Sequence, residues 1–394
     1  MEPNLDSSQL KEAVKSAVGA QEHQLAEISA QIHDHPETGF QETMASGWLT
    51  QYLDENGFAV QRGICDLPTA FRAGYGEGEP VIALLAEYDA LPDLGHACGH
   101  NIIATSSIGA AVASKPAIDR FGGTILVIGT PAEELYGGKV IMVEKGAFRD
   151  VDIAMMVHPG VYDVAVNQAL ACQTLEVEFF GRAAHAAAYP EKGINALDAM
   201  LQAFTAINAL RQHIKDKARI HGIITDGGEA ANIIPAHSAG NFIVRAEEDV
   251  YLNELKERVL NCFTGAATAT GTRLEYRWGD TRYAPLLNNP TLAQLFSQNM
   301  RSLGRNVLAS DPAFAFGSTD MGNVSQLVPA IHPTVAIAPK DVVIHSPQFA
   351  EAAASETGRR GLLDAAKALA MTVVDLLASP EMVKKAKEEF AQQK

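Results

Sequence analysis

The sequence predicts an α/β protein interrupted by a smaller α+β unit, and three observations predict it. Short, near-continuous apolar runs alternate with helix-like stretches at both ends of the chain. From Thr174 onward the pattern changes to strict apolar/polar alternation. With 394 residues, 47% hydrophobic and 20% charged, the chain is long enough to bury two cores.

The apolar runs Val81 to Ala86, Thr124 to Gly129, Val151 to Val157 and Thr334 to Ala338 read as strands covered on both faces, because no polar alternation marks a wet side. Asn101 to Ala113 and Gly138 to Gly146 read as helices between them. In the middle of the chain Leu175, Val177 and Phe179 share one strand face while Thr174, Glu176 and Glu178 take the other. A helix with Leu197, Met200, Leu201, Phe204 and Ile207 on one side follows, then strands Arg219 to Thr225 and Ser238 to Ala246. A helix carrying Leu252, Leu255, Val259 and Phe263 and a strand Arg273 to Trp278, with Trp278 on the core face, complete a βαββαβ order. The expected division is residues 1–172 and 286–394 for the α/β domain and 173–285 for the insertion.

A net charge of −16 without a basic cluster disfavours nucleic acid and anionic lipid as partners and leaves small molecules. Met1 to Ala30 carries too many charges for a signal peptide, and no apolar run is long enough for a membrane span, so a cytoplasmic protein is expected. Cys65, Cys98, Cys172 and Cys262 are widely spaced and read as thiols.

The chemistry concentrates at strand ends. His96-Ala-Cys98-Gly-His100 follows the strand Val81 to Ala86 closely, and a thiolate and an imidazole two residues apart suit zinc or a similar borderline metal. Gly95 and Gly99 permit the tight backbone this needs. Thr124 to Gly129 runs into Glu133-Glu134, where one carboxylate can ligate and the other hold a proton. Val151 to Val157 ends in His158, and Val342-Val343-Ile344 is read as an apolar strand end before His345. In open α/β sheets sites assemble at such ends. Cys98, His100, Glu134, His158 and His345 exceed what one tetrahedral zinc uses, so two divalent ions sharing a ligand are expected. Zn2+ or Mn2+ leads, and the donors also admit Co2+ and Ni2+.

These segments, together with Asp34-His-Pro-Glu-Thr-Gly-Phe-Gln-Glu42, Asp89-Ala-Leu-Pro92, Ala184-His185-Ala-Ala187, Asn232-Ile-Ile-Pro235, Arg245 and His345-Ser346, resemble the dinuclear aminoacylase and carboxypeptidase family of metallopeptidases, family twenty. The Cys-containing loop is similar to the amidohydrolase branch: p-aminobenzoyl-glutamate hydrolases, indole-acetyl-amino-acid hydrolases and a dipeptidase for dipeptides with a basic C-terminal residue. Asn101 and Ser318-Thr-Asp-Met-Gly322 are more similar to the first and last of these. The resemblance implies a zinc-exopeptidase-like three-layer α/β/α catalytic domain, a ferredoxin-like lid and dimerisation domain, and a homodimer. It implies hydrolysis of N-acyl amino acids or small dipeptides, with the five donors on metal and Glu133 as general acid/base. His185 would reach the partner's site, and Asn232 and Arg245 would hold substrate. Where many relatives have His-x-Asp, this chain has Glu87-Tyr-Asp89, so Glu87 is left off the ligand set and Asp89 is expected to support a ligand.

Other readings differ in what they need. A zinc nucleobase deaminase needs His-x-Glu with Pro-Cys-x-x-Cys, which the chain lacks. A non-catalytic metal-binding protein needs neither Glu133 beside a ligand nor a lid with His185 and Arg245. An aminopeptidase-like dipeptidase would read the free amino end instead of the carboxylate. His96 is a candidate support for the metal loop, and His23, His33, His35, His213, His221, His237 and His332 are read as structural.

Overall fold

A computed structural model describes residues 6–310 and 317–394. Its strands, in chain order, are β1 (Ala59–Arg62), β2 (Phe71–Glu77), β3 (Val81–Ala86), β4 (Gly123–Gly129), β5 (Ile153–Met155) and β6 (His158–Gly160). There follow β7 (Ala171–Phe180), β8 (Arg219–Asp226), β9 (His237–Ala246), β10 (Arg273–Tyr283), β11 (Ala330–Ile331) and β12 (Thr334–Ala336). Among the described residues no helix is long and apolar enough to cross a membrane.

The first unit is an α/β fold around a six-stranded sheet of order β1-β2-β4-β3-β5-β11. Strands β4, β3, β5 and β11 run parallel, and β1 and β2 add an antiparallel edge. In β3 and β4 nearly every residue is buried on both sides, which requires helices over both faces. The helix His100–Ala113 is buried almost all round, and the long helix Glu356–Ala378 supplies a wide apolar stripe to the same core.

The expected strand Val151 to Val157 is in fact two. It breaks after Met155, and β6 leaves the main sheet to pair with β12, so His158 opens a strand where the sequence suggested that it follows one. Val342–Ile344 forms no strand. Val342 and Val343 are irregular and Ile344 opens a turn, Val343 is 71% exposed, and His345 sits at φ 66°.

Residues Ala169–Pro285, joined by Gly317 and Ser318, form the second compact unit. Its sheet has the order β10-β7-β9-β8 and is antiparallel throughout, with helices Ala196–Leu210 and Asp249–Thr270. Leu175, Val177 and Phe179 enter a core with Met200, Phe242, Val259 and Phe263, while Glu176 and Glu178 face water. Trp278 packs half-buried against that core. Leu201 departs from expectation, being 50% exposed. The inward stripe of its helix runs through Ala196, Ala199, Met200, Ala203 and Ile207, one position aside.

Candidate metal and catalytic site

Asp89 organises the site. The ring Nδ1–H of His100 donates to the Asp89 backbone carbonyl at 2.8 Å and to Asp89 Oδ1 at 3.0 Å, and the Glu134 amide donates to Asp89 Oδ2 at 3.0 Å. With the proton on Nδ1, His100 presents the Nε2 lone pair outward, as a metal-ligating histidine does. Gly99 makes the entry to this helix possible. It has φ 78°, and a Cβ there would come within 2.8 Å of Pro159 Cγ.

Cys98 Sγ lies 3.3 Å from both His158 Nε2 and His345 Nε2. His158 is aimed by its Nδ1–H, which donates to the Pro159 carbonyl at 2.6 Å. His345 is drawn in by its own amide, which donates to the Ala97 carbonyl at 3.0 Å, and its Nε2 lies 3.6 Å from Glu134 Oε1. His100 Nε2 is 3.7 Å from the same oxygen. The donors fall into triads whose ligand atoms all lie within 4.8 Å of one another: Cys98–His100–His158, Cys98–Glu134–His345 and His100–Glu133–Glu134. All five sequence-derived ligands are thus gathered in one cluster, with Glu133 beside them.

This donor set fits a divalent cation. His100 Nε2 and Glu134 Oε1 are buried with no hydrogen-bond partner among the described residues, a costly state that a cation relieves. Burial holds the His158 imidazole down at about 4, in its neutral, ligating form. Burial and Glu134 push the Cys98 thiol up, so its thiolate requires a nearby positive charge. Burial first, then Glu87, Asp320 and Glu134, raise the Glu133 carboxyl well above the usual carboxylate range, as a group that both accepts and returns a proton requires.

Other buried groups adjoin the cluster. Lys139, Glu87 and Asp320 form a charged group with 0–1% of each side chain exposed. Nothing in the sequence marks Lys139, because one lysine in a short helix looks like a solvated residue. His332, read as structural, stacks edge-on to His158 at 5.5 Å between ring centroids, and both its ring nitrogens lack hydrogen-bond partners among the described residues. His96 is buried too, and that burial pushes its imidazole down to about 3. Glu42 accepts from the Ala132 amide at 2.9 Å and Thr69 Oγ1 at 2.8 Å, tying the segment that leads to Glu133.

His185, Asn232 and Arg245 belong to the second unit. The His185 segment pairs antiparallel with the Asn232 segment through a bridge to Ile233, and the Ala186 amide donates to the Asn232 carbonyl at 3.0 Å. His185 Nδ1 accepts from the Ala188 amide at 3.1 Å, which leaves Nε2–H as an exposed donor. Arg245 lies on β9 and donates through Nη1 to Ser318 Oγ.

A largely parallel sheet with thiol, imidazole and carboxylate donors converging beside a glutamate of raised pKa fits a metal-dependent hydrolase. Residues 83–367 match the model of Peptidase family M20/M25/M40. A mouse Xaa-Arg dipeptidase is 37% identical, over 97% of this chain and 92% of its own length. One of the p-aminobenzoyl-glutamate hydrolase subunits of Escherichia coli K12 is 37% identical, over 74% of this chain and 65% of its own. A Bacillus subtilis dinuclear metal-binding peptidase of family M20 superposes with a TM-score of 0.72 at 21% identity, covering 91% of this chain and 99% of that one. The chain belongs to peptidase family M20/M25/M40.

Proposed function

We propose that this enzyme hydrolyses the amide bond of dipeptides and N-acyl amino acids whose released amino acid carries a free carboxylate, using two divalent ions. The convergence of Cys98, His100, Glu134, His158 and His345 on one cluster supports this reading most directly. Cys98 belongs to both the His100–His158 and the Glu134–His345 triads, so these five residues together would hold the ions. Zn2+ or Mn2+ matches the mixed donors best. Bound there, the ions would lower the pKa of water to about 7 and polarise the scissile carbonyl.

Glu133 takes the proton from the attacking water and returns it to the departing amine. Asp89 keeps His100 and Glu134 in place. His185 supplies its Nε2–H to the oxygen on which negative charge develops, and Arg245 offers a two-pronged contact to the substrate carboxylate beside Asn232. The relatives named for Xaa-Arg dipeptidase and p-aminobenzoyl-glutamate hydrolase put dipeptides ending in a basic residue and aromatic acyl-glutamates first among substrates to try. Thiols at Cys65, Cys98 and Cys262 suit a reducing cytoplasm.

The test is turnover of such substrates as free acids and as C-terminal amides, with metal content measured in parallel. Chelation should abolish activity, and the free acids should be preferred by about 10- to 200-fold, the worth of one charged hydrogen-bonded contact. Equal turnover of acid and amide would favour a site that reads the free amino end, and an active metal-free enzyme would refute the whole reading.

The reading includes a homodimer. Strand β8 is a sheet edge with Ile223 64% exposed, a surface that a second copy can cover. If His185 acts on the partner's substrate, mixing inactive His185→Ala and Glu133→Gln proteins restores part of the activity. No recovery after demonstrated subunit exchange would show that each chain completes its own site.

A further inference from the structure

Lys139 is a fully buried ammonium among three carboxylates, and the mechanism above gives it no task. It lies on the first turn of the helix Gly138–Glu144, with its side chain 0% exposed. Its Nζ donates to Glu87 Oε1 and, at 2.8 Å, to Asp320 Oδ1, while its backbone amide donates to Asp320 Oδ2 at 2.8 Å. Asp320 therefore holds Lys139 at two points, and the ammonium cannot swing away without breaking its bonds to both carboxylates. The second oxygen of Glu87, Oε2, faces the metal donors, 3.6 Å from His100 Nε2. Glu87, Glu133 and Asp320 each offer an oxygen, all within 4.8 Å of one another.

Three carboxylates this close in a dry site are a ready binding place for a hard or borderline cation. Here a fixed ammonium stands among them. Stability alone is a weak reason to keep it, because well-packed apolar side chains often serve a core as well as a buried ion group does. The position of Glu87 gives a better reason. A carboxylate whose free oxygen already lies within 4 Å of a ligand nitrogen needs only a small rotation to coordinate. A catalytic ion must keep a position open for water and substrate, and a further carboxylate would fill it.

We propose that Lys139, held by Asp320, is a positioning residue that restrains Glu87 and so keeps it from joining the five metal donors. The proposal rests on the metal-cluster reading above and adds a reason why the cluster stops at five. It also gives a task to the Ser318-to-Gly322 segment, since Asp320 is the group that holds the lysine.

The full-length protein loaded with Co2+ tests this, with the visible absorption of the ion and the metal content per chain as readouts. In Lys139→Met the Co2+ bands should move as an oxygen donor is added. Its kcat should fall about 10²-fold, the cost of a misplaced group at a catalytic centre, with KM changed less than about threefold. Adding Glu87→Gln to Lys139→Met should return the bands to those of the wild type, an outcome that a merely structural role for the lysine does not predict. Glu87→Gln alone is nearly isosteric and serves if Lys139→Met does not fold. It should keep the wild-type metal content and spectrum. Loss of metal in Glu87→Gln comparable to that in Glu134→Gln would overturn the proposal, as would wild-type bands in folded Lys139→Met. Wild-type protein that binds no divalent ion would overturn the metal reading and this proposal with it, whereas either of the preceding results with metal bound overturns this proposal alone.

Discussion

The two units differ in the charge they bury. In the α/β unit Glu87, Lys139 and Asp320 are buried and held by one another's charge, and Asp89 is buried against the His100 ring. In the inserted unit, Arg277 grips Glu176 with side chains 65% and 54% exposed, and His237 lies between Asp226 and Glu178 at 2.6 and 2.9 Å, again in contact with water. Solvent screens the second kind of pair to about 1 kcal/mol or less. Breaking one partner of the first kind leaves a charge stranded in a dry interior, at about 3–5 kcal/mol. Among the described residues, buried charge of the first kind is confined to the α/β unit.

The largest effect should separate two adjacent, half-buried carboxylates beside that set, Glu133 and Glu134. Glu133→Gln should keep its metal while kcat falls about 10²- to 10⁴-fold, the usual worth of a positioned acid/base. Glu134→Gln should instead lose metal, because Glu134 Oε1 belongs to the donor cluster. Metal analysis beside steady-state kinetics decides this, and equal loss of metal in both variants would reverse the assignment of Glu133. A smaller effect is expected one step outward. Asp89→Ala should weaken metal affinity about 10- to 100-fold in a competition titration with a chelator, since it frees both His100 and the Glu134 backbone. Unchanged affinity would mean that the imidazole is held by the Asp89 carbonyl alone.

The smallest effect belongs to the inserted unit. The hydrogen bond to Asp226, and then that to Glu178, raise the His237 pKa above its ordinary 6.5. A group raised on folding stabilises the folded state fully below its unfolded pKa and loses that contribution as pH rises through the folded value. Urea unfolding of this unit should therefore show about 1 kcal/mol or less of extra stability at pH 6 relative to pH 9, diminished by salt. His237→Gln should remove this pH dependence. A larger change, or one that persists in the variant, would show that exposed charge matters more in this unit than the comparison allows.

Much of the site could be read from the sequence because its parts are short and local. Cys98-x-His100 and Glu133-Glu134 each place two groups within one turn of chain, after apolar runs that do form β3 and β4. The inserted unit was legible for a similar reason, as period-two alternation in β7 assigns a wet and a dry face without knowledge of any neighbour. Legibility failed where a segment's fate depends on a distant partner. Val151 to Val157 is apolar enough for one strand, yet pairing of β6 with β12 splits it. Val342 to Ile344 looks like a strand, but among the described residues no partner strand receives it.

By itself, then, the sequence determined the fold class, the order of the inserted unit's elements and which side chains carry donor atoms of the kind a metal takes, because periodicity and donor chemistry are properties of neighbouring residues. Only the tertiary structure decided which of those side chains meet. It brought His345 to Cys98, at 3.3 Å across 247 positions, and Lys139 to Asp320 across 181. A lone lysine or a lone aspartate in sequence is most economically a solvated surface residue. It becomes a buried, paired group only when folding places an opposite charge against it and removes the water from both.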